Sequence, residues 1–138
     1  MKSIIAGVDE VGRGSLVGPV YAAAVILKKK VNKKKLKDSK KLTKINRQIL
    51  EKYIKKNSYW SIGSASLKEI EKLNILNASL LAMTRAIKKL KQKPKLVLID
   101  GNKIPKINAT KTDNSIDSIA KGKVMPTRCF IKSITGTL

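Results

Sequence analysis

Residues 4–27 read IIAGVDEVGRGSLVGPVYAAAVIL, and the fold turns on how they are parsed. Residues 3–10 are an apolar, β-branched run that reads as a buried strand. Val17 to Leu27 reads as a second strand, with Pro19 near its start, where a strand tolerates it. Between them lie Gly12, Gly14 and Gly18, a composition that suits a turn with unusual backbone angles. Two strands joined by so short a connection predict an antiparallel hairpin at the head of the chain.

The rest of the chain extends that start. Residues 28–37, KKKVNKKKLK, form a solvated basic loop. Leu42 to Lys56 predicts a helix whose apolar face is Leu42, Ile45, Ile49 and Tyr53. Residues 58–66, SYWSIGSAS, alternate large and small and predict a third strand. Ser66 and Glu69 stand in capping-box spacing, so a short helix begins there. Residues 75–91 give the clearest helix, with Leu76, Leu80, Met83, Ile87 and Leu90 as its stripe, and Pro94 follows its end. Residues 95–100, KLVLID, predict a strand that ends in the turn-like Asp-Gly-Asn. The order β–β–α–β–α–α–β implies an α/β fold. Its mixed sheet is an antiparallel meander joined by a later parallel strand and flanked by helices. Beyond residue 113 there is no long periodic segment. Residues 107–112 suit a short edge strand and 115–121 a helical turn.

At 138 residues the chain is one domain by length, with a hydrophobic fraction of 42% that is ordinary for a globular protein. No apolar run approaches the ~18 residues of a membrane span, and the amino end lacks a secretory pattern, so a cytoplasmic protein is expected. Cys129 has no second cysteine to bridge, and the chain holds no histidine. Cys–His nucleophilic chemistry and Cys/His zinc sites are therefore excluded. Thirty-one basic residues against nine acidic ones give a formal charge of +22, which points to a polyanion, with nucleic acid the leading partner. Twenty-seven of the basic residues are lysine, a bias that genome composition also produces.

Against that charge, adjacent carboxylates at Asp9 and Glu10 call for a reason. The spacing Gly12-x-Gly14-x-x-x-Gly18 is one residue too long for a dinucleotide fingerprint, and a strand rather than a helix follows it. No phosphate-binding loop is present. Neighbouring strand residues face opposite ways, so Asp9 and Glu10 share a site only where their strand is ending. Asp100, like Asp9, closes an apolar strand. If those two strands are neighbours, the carboxylates converge and repel unless a cation lies between them. With oxygen ligands alone, that cation is Mg2+ or Mn2+. The bland alternative is that these acids form turns, and the residues alone leave both open. A basic surface with clustered acids would suit metal-assisted phosphodiester hydrolysis.

The stretch GVDEVGRGSLVGPVYAAAVIL resembles the opening of bacterial ribonuclease HII, the type 2 ribonucleases H. LKDSKKLTKINRQIL resembles that family's Asp-Ser-Lys-Lys-Leu segment, EKLNILNASLLAMTRAI its long helix and LVLIDGNKIP its next acidic strand. The likeness covers roughly residues 3–106. It implies a ribonuclease H fold and an endonuclease that cuts the RNA strand of RNA–DNA hybrids and single ribonucleotides in duplex DNA, leaving a 5′-phosphate. It also implies that Asp9, Glu10 and Asp100 bind Mg2+ or Mn2+, that Gly12, Arg13 and Gly14 read the ribose 2′-hydroxyl, and that Lys40 and Lys41 contact phosphate. The family's fourth acid follows Lys-Gly. Here Asp113, in Lys-Thr-Asp, matches best, with Asp117 as competitor.

Past Asp113 the likeness breaks. The expectation is an incomplete catalytic domain over 1–113 and a degenerate or poorly ordered tail over 114–138, in a chain shortened at its carboxyl end and acting as a monomer. The tyrosine that resemblance would place on the substrate sugar has no counterpart after Tyr59. The competing expectations are a nucleic-acid-binding remnant that no longer cuts and a basic structural protein. Trp60 is expected to pack within its strand.

Overall fold

The two apolar runs flanking the glycine turn pair with each other. In a computed structural model, which describes residues 4–11, 18–28, 43–99, 118–121 and 131, strand β1 (Ile5–Val11) runs antiparallel to β2 (Val20–Leu27), in register from Gly7↔Val25 to Val11↔Tyr21. Gly18 enters β2 with φ +140°, a backbone setting that L side chains rarely adopt, as its place in the turn predicts. Gly12, Arg13, Gly14, Lys40, Lys41, Leu42, Asp100, Asp113 and Asp117, with the basic run 29–37 and the strand expected at 107–112, lie outside the described residues.

Strand β3 (Ser58–Ala65) continues the antiparallel meander on the far side of β2. Strand β4 (Leu96–Ile99) lies parallel to β1, pairing Ile5↔Leu96 through Val8↔Ile99. The sheet order is β3-β2-β1-β4-β5. The fifth strand, β5 (Ser118–Lys121), runs parallel to β4. It corrects the helical turn expected at 115–121. A four-residue segment with no period of its own becomes a strand because β4 offers it a ladder, which no local signal encodes. Beyond residue 113, then, β5 pairs into the sheet and Ile131 is fully buried.

Helices α1 (Lys44–Asn57), α2 (Leu67–Leu73) and α3 (Ile75–Lys89) complete the described elements. Thr43 Oγ1 accepts from the Asn46 amide at the start of α1. Ser66 and Glu69 form the predicted capping box at α2. Asn74, at φ 72°, ends α2 and begins α3: its amide bonds to Ile70 O, and its side-chain oxygen accepts from the Asn77 amide at 2.9 Å. A short polar residue tolerates that positive φ better than most.

Each face of the sheet has its own core. On one, Ala6, Val8, Ala22, Ala24, Val97 and Ile99 meet α3. The buried stripe of α3 is largely small: Ala78, Ser79, Ala82 and Ala86, with Met83 and Ile87. Leu76 and Leu80, which the sequence stripe included, are only partly buried. The small residues let the helix settle onto Gly63 of β3, where a Cβ would collide with Ala82 O and Ala86 N and stand 3.0 Å from Arg85 C. Polar pins hold the same contact. Ser61 Oγ donates to Ala86 O, Arg85 Nη1 to Ser64 O at 2.8 Å, and Lys89 Nζ to Ile62 O at 3.1 Å. Arg85 also grips Glu69 in a two-pronged pair at 2.7 and 2.6 Å. That guanidinium, with the Ser66 amide, holds the Glu69 carboxyl down at about 2 from its ordinary 4.5.

On the other face Ala23 and Val25 meet Leu50 and Ile54 of α1, together with Ile131. This corrects the expected face of α1. Ile45 and Ile49 are 69% and 61% exposed, while Leu50 and Ile54 are buried. Both pairs repeat every four residues, so periodicity alone cannot choose between them.

Candidate active site

Asp9 and Glu10 occupy the last turns of the pleat in β1, a central strand. Residues directly opposite in a ladder share a face. Asp9 lies opposite Ala23, which lies opposite Ile62, so the three make one rung on the α1 face. Glu10 shares its rung with Ala22 and Gly63, on the α3 face. Asp9 is 6% exposed and Glu10 is half-buried. The Glu10 amide donates to Asp9 Oδ1 at 2.8 Å, which fixes the orientation of that carboxylate.

The pairing of β1 with β2 runs on through Val11, whereas its described ladder with β4 stops at Val8↔Ile99. Asp9, Glu10 and Val11 thus extend past the described end of β4. This edge is where the carboxyl ends of the parallel strands β1, β4 and β5 come together. It is also where the chain departs in opposite senses, toward β2 from β1 and toward β5 from β4. In sheets of this kind, such a switch point at the carboxyl ends is where ligands bind.

Of the expected site residues, the structure positions Asp9 and Glu10. Among the described residues no group of three or more His, Cys, Asp or Glu comes together. The donor chemistry nonetheless suits a hard cation, since carboxylate oxygens at this edge are the ligand type that Mg2+ and Mn2+ take. No described helix is long and apolar enough to cross a membrane.

A basic chain with a mixed five-stranded sheet, helices on both faces and acids at the carboxyl edge of its central strand is built like a ribonuclease H. Solved structures agree. The ribonuclease H2 of Pyrococcus horikoshii superposes with a TM-score of 0.71 at 26% identity, over 94% of this chain and 71% of that one. A Bst ribonuclease HIII solved in complex with Mn2+ superposes with a TM-score of 0.71 at 18% identity, over 96% of this chain and 51% of that one.

The ribonuclease HII family profile matches residues 6–128, and the chain belongs to that family. It is 65% identical over 128 residues to the ribonuclease HII of Pelagibacter ubique, covering 88% of this chain and 69% of that protein. It is 55% identical over 102 residues to that of Paracoccus denitrificans, covering 74% and 49%, and 51% identical over 120 residues to that of Borreliella afzelii, covering 86% and 64%. Against these last two the chain spans about half and just under two thirds of the relative's length.

Proposed function

We propose that this chain is a metal-dependent endoribonuclease that cuts the RNA strand of RNA–DNA hybrids and single ribonucleotides within duplex DNA. It would act as a monomer in the cytoplasm, where its nucleic-acid substrate lies. The observation that carries the reading is the parallel register Val8↔Ile99. The residue after Val8 is Asp9, and the residue after Ile99 is Asp100. A ladder continued by one step would bring position 100 beside Asp9 on the same face, which supports the reading. Two carboxylates so placed repel unless a cation neutralises them. The Mn2+ bound to the ribonuclease HIII neighbour supports that choice of ion.

Asp9, Glu10 and Asp100 would hold Mg2+ or Mn2+, and Asp113 would complete the catalytic acids. Asp113 is preferred to Asp117 because its Lys-Thr-Asp context resembles the family's Lys-Gly-Asp segment. A cation held by these carboxylates would supply water activation and charge stabilisation at the leaving oxygen. The chain's own part is to orient and to bind. The Glu10 amide fixes Asp9. Gly12, Arg13 and Gly14 bring backbone close to the ribose 2′-hydroxyl, the group that separates RNA from DNA. Lys40 and Lys41 take phosphate.

The purified chain should nick a DNA duplex carrying one ribonucleotide, on its 5′ side, only with Mg2+ or Mn2+ present. Asp9→Asn should slow the cut at least about 100-fold, the scale set by losing metal-borne charge stabilisation, without lowering the melting temperature. Wild-type protein that binds hybrid but leaves it intact with either metal would replace this reading with that of a binding protein.

A further inference from the structure

The edge strand β3 carries the chain's single tryptophan, and it is not packed away. Trp60 is 40% exposed, which corrects the expectation that it packs within its strand. Its register partner is Val25, and Val25 in turn lies opposite Gly7, so Trp60 stands on the α1 face, one side-chain rung from the row that holds Asp9, Ala23 and Ile62. Two residues along and two strands across place its Cα about 12 Å from that of Asp9. Over the ring lies Lys55 Nζ, 5.5 Å from its centroid and 3.1 Å from Glu51 Oε1. Lys52, Lys55 and Lys56 are all exposed near the end of α1, at the spacings that put side chains on one helix face.

We infer that Trp60 and the lysines at the end of α1 form a second contact for a nucleic-acid strand, on the sheet face that carries Asp9. Three like charges crowded on one helix face with a single acid among them favour an anionic partner. An exposed indole beside them offers the flat apolar surface against which a base or sugar packs while lysines take the phosphates. The two places stand on either side of the part of β2 that Leu50 and Ile54 of α1 cover, and their separation of about 12 Å equals three or four steps of a strand at ~3.4 Å each, so a duplex that spans α1 meets both. The proposal rests on the hybrid-endonuclease reading for the identity of the strand.

Because Trp60 is the only tryptophan, its emission reports this surface directly. The whole chain is titrated in EDTA, so that nothing is cut, with a fluorescein-labelled RNA–DNA hybrid, following both tryptophan emission and label anisotropy. Emission should change in step with anisotropy. Trp60→Leu should weaken binding about tenfold, and Trp60→Phe should restore most of the loss. Lys55→Glu should weaken binding several-fold more than Lys88→Glu, which makes the same charge change on α3. Circular dichroism checks that each variant folds, and the wild-type emission needs no variant at all. Unchanged emission while anisotropy saturates would overturn the contact, as would equal losses from the two lysine variants or no binding to any nucleic acid. Emission that responds in a chain unable to nick hybrid with metal would leave the contact standing and remove the endonuclease reading instead.

Discussion

The two faces of this sheet are closed by different means. The α3 face is sealed by closeness. Glycine and alanine bring a helix backbone against a strand backbone, and Ser61, Arg85 and Lys89 bond the two together. The α1 face is sealed by bulk. Leu50, Ile54 and Ile131 fill the space over Ala23 and Val25, and the same face carries Asp9 and Trp60. A backbone contact has almost no give, whereas a side-chain contact relaxes by changing rotamer. The rigid face therefore acts as a foundation, and the face packed through side chains carries Asp9, while Glu10 lies on the α3 side of the same strand.

The sharpest way to break this contrast is Gly63→Val. Its side chain would meet backbone atoms of α3 that cannot turn aside, so a loss of about 4 kcal/mol is expected, at the upper end for overpacking, read as a fall in urea midpoint. Ile54→Ala, on the other face, should cost about 3 kcal/mol, the usual range for a buried large-to-small change. A milder test addresses the pair that locks α2 to α3. The Glu69 carboxyl is held at about 2 in the fold against 4.5 ordinarily. A depressed folded value means its stabilisation is present above pH 4.5 and is lost as pH falls toward 2. Thermal melts of wild type and Glu69→Gln should therefore differ at neutral pH and converge through that window, and a gap that stays constant would contradict the assignment. The smallest effect should come from Ile49→Ser. It removes an apolar residue from α1 that the structure leaves exposed, and its stability should stay within about 0.5 kcal/mol of wild type. A loss comparable with that of Ile54→Ala would show that the helix buries its other face.

Local chemistry made much of this fold legible. The strands β1 to β4, the helix expected over 75–91 and the capping box at Ser66 each follow from short-range signals, and their order in sequence implied both the meander and the parallel partner. Three features were hidden for distinct reasons. β5 is a strand only because β4 lies beside it. α1 carries two apolar pairs of equal period, and which one is buried depends on where the sheet lies. The tight seat at Gly63 joins it to Ala82, Arg85 and Ala86, 19 to 23 positions away, and nothing in SIGSAS announces that a helix will land there.

What the sequence determined by itself is the list of elements, the basic charge and the acids at the end of two apolar strands, because these depend on neighbours within a few residues. The tertiary structure decided the order of the strands, the faces that Asp9, Glu10 and Trp60 occupy, and the alignment of Val8 with Ile99. Those are set by hydrogen-bond registers between distant segments, and a shift of one residue would turn every side chain of a strand to the opposite face.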